Sequence, residues 1–159
     1  MLLYHGSNVE VKEPKLLQKQ CELDFGKGFY TTASEEQAKA WALRTFKRRK
    51  YGKPCISVYE IDEKNFSSLK ILKFDTPNKE WLFFVTKNRK GIDNNFEYDL
   101  VIGPVANDQT MPTLMLYLDG FYSVEETIKR LLPQKLKDQF VFKTSKALNC
   151  LKLKEIIAL

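Results

Sequence analysis

The chain of 159 residues has the length of one domain, enough to bury a core without disulfide or metal staples. An apolar share of 43% and a charged share of 29% exclude a disordered, collagenous or coiled-coil chain. With 26 Lys and Arg against 20 Asp and Glu the formal charge is +6, which suits a polyanion, either a nucleic acid or a pyrophosphate-bearing cofactor.

In chain order, residues 2–5 read as an opening strand, followed by an irregular, Lys-rich stretch over about 8–22. Gly26 and Gly28 punctuate a tight turn, and Phe29 to Thr31 is a brief strand after it. Ser34 with Gln37 three residues on fits a capping box. Ala38, Trp41, Ala42 and Phe46 then recur at helical spacing, which predicts a helix over about 35–48. It ends in the basic run Lys47 to Lys50, read as a solvated helix end where cations oppose the dipole. Cys55 to Ile61 and Leu69 to Phe74 are strands. Thr76-Pro77 opens a second helix that carries Trp81, Leu82, Phe84 and Val85 and stops near Gly91. Tyr98 to Ile102 is a buried strand ended by Gly103-Pro104, and residues 112–118 are helical. Ser123 to Glu126 is a second capping box, opening a helix that ends before Pro133. Phe140 to Phe142 is a strand, Thr144 caps a short turn through Leu148, and Leu151 to Lys154 is a final strand. This mixture is α+β, one domain over 1–159, and strands not regularly separated by helices disfavour a doubly wound sheet.

Several chemistries drop out. The N-terminus lacks a basic segment leading into an apolar run, so no signal peptide is expected. The runs Trp81 to Val85 and Leu114 to Leu118 are far too short to span a membrane. Cys21, Cys55 and Cys150 are scattered, which reads as reduced thiols in a cytoplasmic protein. One histidine and no cysteine cluster argue against structural zinc, and no metal is expected. There is no G-x-S-x-G elbow and no G-x-x-x-x-G-K-[ST] phosphate loop.

Three segments carry more weight together than singly: Leu3-Tyr4-His5-Gly6-Ser7, Phe25-Gly26-Lys27-Gly28-Phe29-Tyr30-Thr31-Thr32, and Asp138-Gln139-Phe140-Val141-Phe142. In order and type they resemble the poly(ADP-ribose) polymerase-like branch of the ADP-ribosyltransferases, which carries L-x-H-G-S/T, then F/Y-G-K-G-I-Y-F-A, and later N-E-Y-[IV]-V-Y. Leu148, Leu151 and Leu153 fall as that branch's terminal leucines do. The whole chain also looks like a small bacterial domain family without a settled function, sharing D-F-G-x-G-F-Y-T-T and Y-D-L-V-I-G-P-V-A-N-D. Some members of it are encoded beside small antitoxin-like proteins.

The resemblance implies a split, bent β-sheet with flanking helices and a cleft for NAD, used as substrate. It places His5 on the adenosine ribose, the backbone of Gly6 on the nicotinamide carboxamide, and the Ser7 hydroxyl nearby. Gly28, Tyr30 and Thr31 line the cleft, with Tyr30 stacking on the nicotinamide ring. The branch's second stacking aromatic falls on Trp41, whose helical spacing with Ala38 equally fits the buried face of the helix. The branch's carboxamide-binding serine falls on Ala38, and its glutamate falls on Gln139. A glutamine can bond a ribose hydroxyl but brings no negative charge and cannot act as a general base. Chain elongation is then disfavoured, leaving transfer of a single ADP-ribose to an already nucleophilic acceptor or a weak NAD glycohydrolase activity. A replacement carboxylate could come from Asp108, which otherwise serves turn chemistry, or from Glu80, which otherwise serves a helix N-terminus.

The function implied is that of a mono-ADP-ribosyltransferase, a bacterial intracellular toxin acting on a protein or nucleic-acid acceptor and paired with a small antitoxin protein. The alternatives are a catalytically weak NAD or ADP-ribose-binding module, and a basic nucleic-acid-binding domain without a cofactor.

Overall fold

The computed structural model describes residues 1–17, 23–92 and 97–159, so Cys21 lies outside the described residues. The chain is α+β and builds one seven-stranded sheet. Its strands are β1 (Leu2–Ser7), β2 (Phe29–Thr32), β3 (Cys55–Ile61), β4 (Ile71–Lys73), β5 (Leu100–Pro104), β6 (Asp138–Phe142) and β7 (Leu151–Ala158). They lie in the order β4-β5-β6-β2-β1-β3-β7. Only β4 and β5 run parallel; every other pair is antiparallel. The N-terminal strand β1 and the late strand β6 therefore flank β2 at the centre of the sheet, while the C-terminal strand β7 lies at its edge.

Strand alternation separates the two faces. One carries Leu3, Phe29, Tyr59, Ile102, Phe140 and Phe142, closed by Leu148 and Leu151. The other face is covered in two parts. Helix α1 (Glu35–Arg49) buries Ala38, Ala42 and Thr45 towards β1 and β3. Helices α2 (Lys79–Arg89), α3 (Met111–Leu118) and α4 (Val124–Leu131) pack over β5 and β6 through Trp81, Leu82, Val85, Leu114, Leu131 and Val141. Between these two helical layers runs the strip of β2 and β6.

Local chemistry explains the helix ends. The Ser34 hydroxyl accepts from the Gln37 amide at 3.3 Å. The return leg of the capping box is made by another residue: the Ser34 amide donates to Thr32 Oγ1 at 3.1 Å, and Thr32 Oγ1 donates to Gln37 Oε1 at 2.7 Å. Ser123 accepts from the Glu126 amide at 3.1 Å, as its spacing predicts. Helix α2 starts later than Thr76-Pro77 because Asn78, not Thr76, caps it, its side-chain oxygen accepting from the Trp81 amide at 2.8 Å. Thr144 caps the one-turn helix α5 (Ser145–Leu148). Strand β7 runs to Ala158, twice the expected length, because the whole of β3 offers it a pairing edge.

Candidate functional site

The centre of the sheet is also where its ladder is thinnest. Among the described residues β1 and β2 share the single register pair Tyr4–Thr32. Met1 and Ile61 exchange both backbone bonds at 3.0 Å, which fixes the phase of the β1–β3 ladder. Leu3, His5 and Ser7 therefore bond across to β3, while the amide and carbonyl of Gly6 turn towards β2, one step past the last β1–β2 pair. Tyr30, the residue opposite, has its carbonyl held at 2.7 Å by Nδ1 of His5 instead.

A carbonyl only accepts, so His5 Nδ1 carries the proton and Nε2 is left as an acceptor. The imidazole stacks on Phe29 with centroids 4.4 Å apart. Burial lowers its pKa from the ordinary 6.5, against a smaller upward pull from the Tyr30 bond. The unfolded chain thus takes up the proton first as pH falls. Stability tied to the neutral ring is complete above about pH 6.5 and is lost as pH drops towards the folded pKa. His5 is the only histidine, so NMR titration of its ring should give one midpoint below 6.5; a midpoint at or above that value would contradict the packing.

Gly6 has a second duty. A Cβ there would lie 1.9 Å from the Ala38 carbonyl oxygen and 2.9 Å from the Ala42 amide, so its bareness is what lets α1 settle on β1. In the double-glycine turn the two glycines differ. Gly26 sits at φ 71°, a left-handed position. At Gly28 a Cβ would meet Val141 Cγ1 at 2.5 Å and the Phe142 carbonyl oxygen at 2.9 Å, so it serves the approach of β2 to β6. Gly28 lies on the Tyr30 face against Val141, whereas Thr31 does not share that face as the resemblance implies. Thr31 is buried on the opposite face from Tyr30, donating to the Phe140 carbonyl at 3.0 Å. Ser7 accepts from the Val9 amide at 3.3 Å and shapes the turn after β1.

On the strip between the helical layers stand Tyr30, Thr32 and Gln139, all on one face by strand alternation and register. The Tyr30 hydroxyl donates to the Gly26 carbonyl at 2.6 Å and accepts from the Phe25 amide at 3.2 Å, so what it presents is its ring. Gln139 pairs with Thr32 on one side and Gly103 on the other. Its Oε1 is buried and has no hydrogen-bond partner among the described residues. Asp138 faces the other way and does not take Gln139's place as a carboxylate.

Trp41 is 42% exposed and is not part of the buried face formed by Ala38, Ala42 and Thr45. It lies instead on a stripe with Gln37 and Arg44, four and three residues away. Gln37 touches β2 through Thr32, and Arg44 sits 5.9 Å over the indole. That stripe is the wall of α1 beside the β2–β6 strip.

From the other side, Asp108 reaches Arg44 at 2.6 Å. The turn chemistry expected of Asp108 belongs to Asn107, whose Oδ1 accepts from the amides of Gln109 and Thr110 at 3.0 Å. The Arg44–Asp108 pair joins α1 to the loop after β5 and spans the cleft. Its side chains are 51% and 83% exposed, so the pair contributes less than about 1 kcal/mol. A double-mutant cycle of Arg44→Ala and Asp108→Ala in urea should show a coupling below about 1 kcal/mol. Glu80 is exposed in the first turn of α2, and nothing brings it to this strip.

Sequence reasoning missed Asp24, Asn88 and Arg89. Asp24 is buried and accepts from Arg89 Nε at 2.5 Å and from the Ala106 amide at 2.9 Å, while Asn88 Nδ2 donates to its carbonyl at 3.0 Å. Burial raises its carboxyl pKa and the Arg89 guanidinium pulls it back. No local signal links residues 65 apart. Asp24 stands directly before the double-glycine turn, which is the one hint the sequence holds.

These elements define an α+β domain with a polar strip between two helical layers on one sheet face. A family model described as a protein of unknown function, DUF3990, matches residues 1–153, and the chain belongs to that family. No curated protein and no solved structure matches it. Among the described residues no helix is long and apolar enough to cross a membrane, and no three His, Cys, Asp or Glu side chains are grouped to hold a metal.

Proposed function

We propose that the strip is an NAD cleft and that the protein transfers a single ADP-ribosyl group, on an ADP-ribosyltransferase-like sheet parted between β1 and β2. The observation that carries this reading is the buried, unpartnered Oε1 of Gln139 on the same face as the Tyr30 ring. A buried carbonyl oxygen without a donor costs about 1–3 kcal/mol, and a ribose hydroxyl is a donor of the right kind. The amide and carbonyl of Gly6, turned towards β2, are one donor and one acceptor, the complement of a carboxamide. Tyr30 from the floor and Trp41 from the wall supply two aromatic faces; His5 does not join them, because it shares the opposite sheet face with Leu3 and stacks on Phe29 there, holding only the Tyr30 carbonyl across the strand.

In the reaction the bond between nicotinamide and ribose breaks, the electron pair leaves with nicotinamide, and an acceptor lone pair takes the anomeric carbon and sheds its proton. These residues act by orienting and excluding water. Gln139 adds no charge, so the acceptor must already be a good nucleophile. The resemblance supports a bacterial intracellular toxin with a protein or nucleic-acid acceptor and a small antitoxin partner, acting in the cytoplasm.

The absence of a carboxylate at Gln139, with Asp108 tied to Arg44, favours one other reading: a module that binds NAD or ADP-ribose without transfer. Incubation with labelled NAD and whole lysate separates the two. Transfer labels protein or nucleic acid and releases nicotinamide, and Tyr30→Ala should lower release at least tenfold. Calorimetric binding with no release supports the module; neither binding nor release overturns both.

A further inference from the structure

We propose that Asp24 is the positioning residue of the cleft, one carboxylate setting both the turn beneath Tyr30 and the loop that carries Asp108. The proposal rests on the reading of Tyr30 as a cleft residue.

Asp24 touches three separate parts of the chain. Its own peptide leads into Phe25 and Gly26, the two residues that hold the Tyr30 hydroxyl. Its carboxylate accepts from the Ala106 amide, two residues before Asp108. Its remaining bonds go to Arg89 and Asn88 at the C-terminal end of α2. The Arg89 fork engages one oxygen, Oδ1, and the Ala106 amide engages Oδ2, so the carboxylate acts as a two-sided spacer. Arg89 itself is 23% exposed while Asp24 is 1% exposed. The charge is thus sealed on the inside and reaches solvent only through its partner.

A structural core would meet the same stability need with apolar groups. Replacing a buried ion pair by apolar residues is often neutral or stabilising, whereas removing one partner costs several kcal/mol. What an apolar pair cannot do is accept the Ala106 amide and hold the 23–26 backbone at the same time. Lys143 adds to the same turn from β6, its Nζ donating to the Phe25 carbonyl at 2.6 Å. The turn is therefore pinned by Lys143 and by Asp24, and the 105–108 loop is held by the Lys137 carbonyl, by Arg44 and by Asp24; among the described residues Asp24 is the one side chain bonded to Ala106 whose own peptide leads into the turn.

The test uses the full chain carrying Asp24→Asn with Arg89→Met, which leaves no unpaired buried charge. Hydrogen–deuterium exchange should show the amides of 25–30 and of 105–108 exchanging at least tenfold faster together, with β3 and β7 unchanged. No change in either segment, or a change in one alone, overturns the proposal. Should that variant fail to fold, Arg89→Lys keeps a charge but loses the fork, and the same paired change is expected in smaller degree.

A second arm measures NAD affinity by calorimetry in the double variant. Positioning predicts an affinity at least tenfold weaker even where the melting temperature matches that of the unmodified protein. Affinity that recovers with stability overturns it. Should the unmodified chain itself not bind NAD, the NAD reading fails, and the exchange arm still decides the role of Asp24.

Discussion

Gln139→Leu is expected to raise stability and abolish NAD binding in the same protein. The buried Oε1 has no hydrogen-bond partner among the described residues, so the folded state carries a desolvated acceptor. Removing it with a side chain of similar volume returns about 1 kcal/mol or more, seen as a later midpoint in urea with an unchanged slope. A group retained at a cost to the fold is accounted for by a ligand that satisfies it. Isothermal calorimetry checks the second half: the variant should show at least a hundredfold weaker NAD affinity or none. A variant that is less stable than the unmodified chain would mean that Gln139 has a structural partner and that the cleft reading has lost its support. Gln139→Glu tests the same atom from the other side, since a carboxylate there adds the charge that the transition state lacks. It should speed nicotinamide release by roughly 10²-fold, the scale of one key electrostatic group.

Gly6→Ala is expected to be strongly destabilising. One added methyl would sit 1.9 Å from the Ala38 carbonyl oxygen, a backbone atom of the first turn of α1 that cannot rotate away. The helix must lift from β1, taking Ala38 out of contact with Ile56 and Val58. Overpacking with a backbone shift costs on the order of 3 kcal/mol. Gly120→Ala is the control. It sits at φ 82° with no atom within 4 Å of the added carbon, so its cost is backbone strain alone, about 1 kcal/mol. Thermal unfolding of the two variants side by side should rank them in that order. Equal losses would show that α1 does not seat on Gly6 as described.

These two residues show what the sequence holds and how it holds it. Gly6 was legible as a glycine at a strand end, with the reason given as room for a ligand. The close partner turned out to be a helix, while the backbone polar groups face β2 one step past the last β1–β2 pair. Gln139 was legible only through the resemblance, by its place before an apolar strand. Its orphaned oxygen is a property of burial, which no residue type announces. Trp41 divided evenly on spacing because a helix has flanks as well as a buried face. Its 42% exposure and the company of Gln37 and Arg44 place it on a flank.

Local chemistry carried most of the elements. Ser34, Ser123 and Thr144 cap helices where their hydroxyls fall one turn before the first free amides, a matter of a few residues and one hydrogen bond. The α+β mixture followed from the same short-range patterns. What no short pattern contains is the order of strands in the sheet or the pairing of Asp24 with Arg89, because both are set by contacts between residues far apart in the chain. Asp108 gave up its turn duty to Asn107 and crossed to Arg44 for the same reason: a carboxylate takes the partner that packing brings to it. The sequence by itself thus determined which segments are helix or strand and which residues could bear chemistry. The tertiary structure alone decided which of those residues share a face, since that depends on sheet order and register, and these are fixed by how the two helical layers bury the sheet.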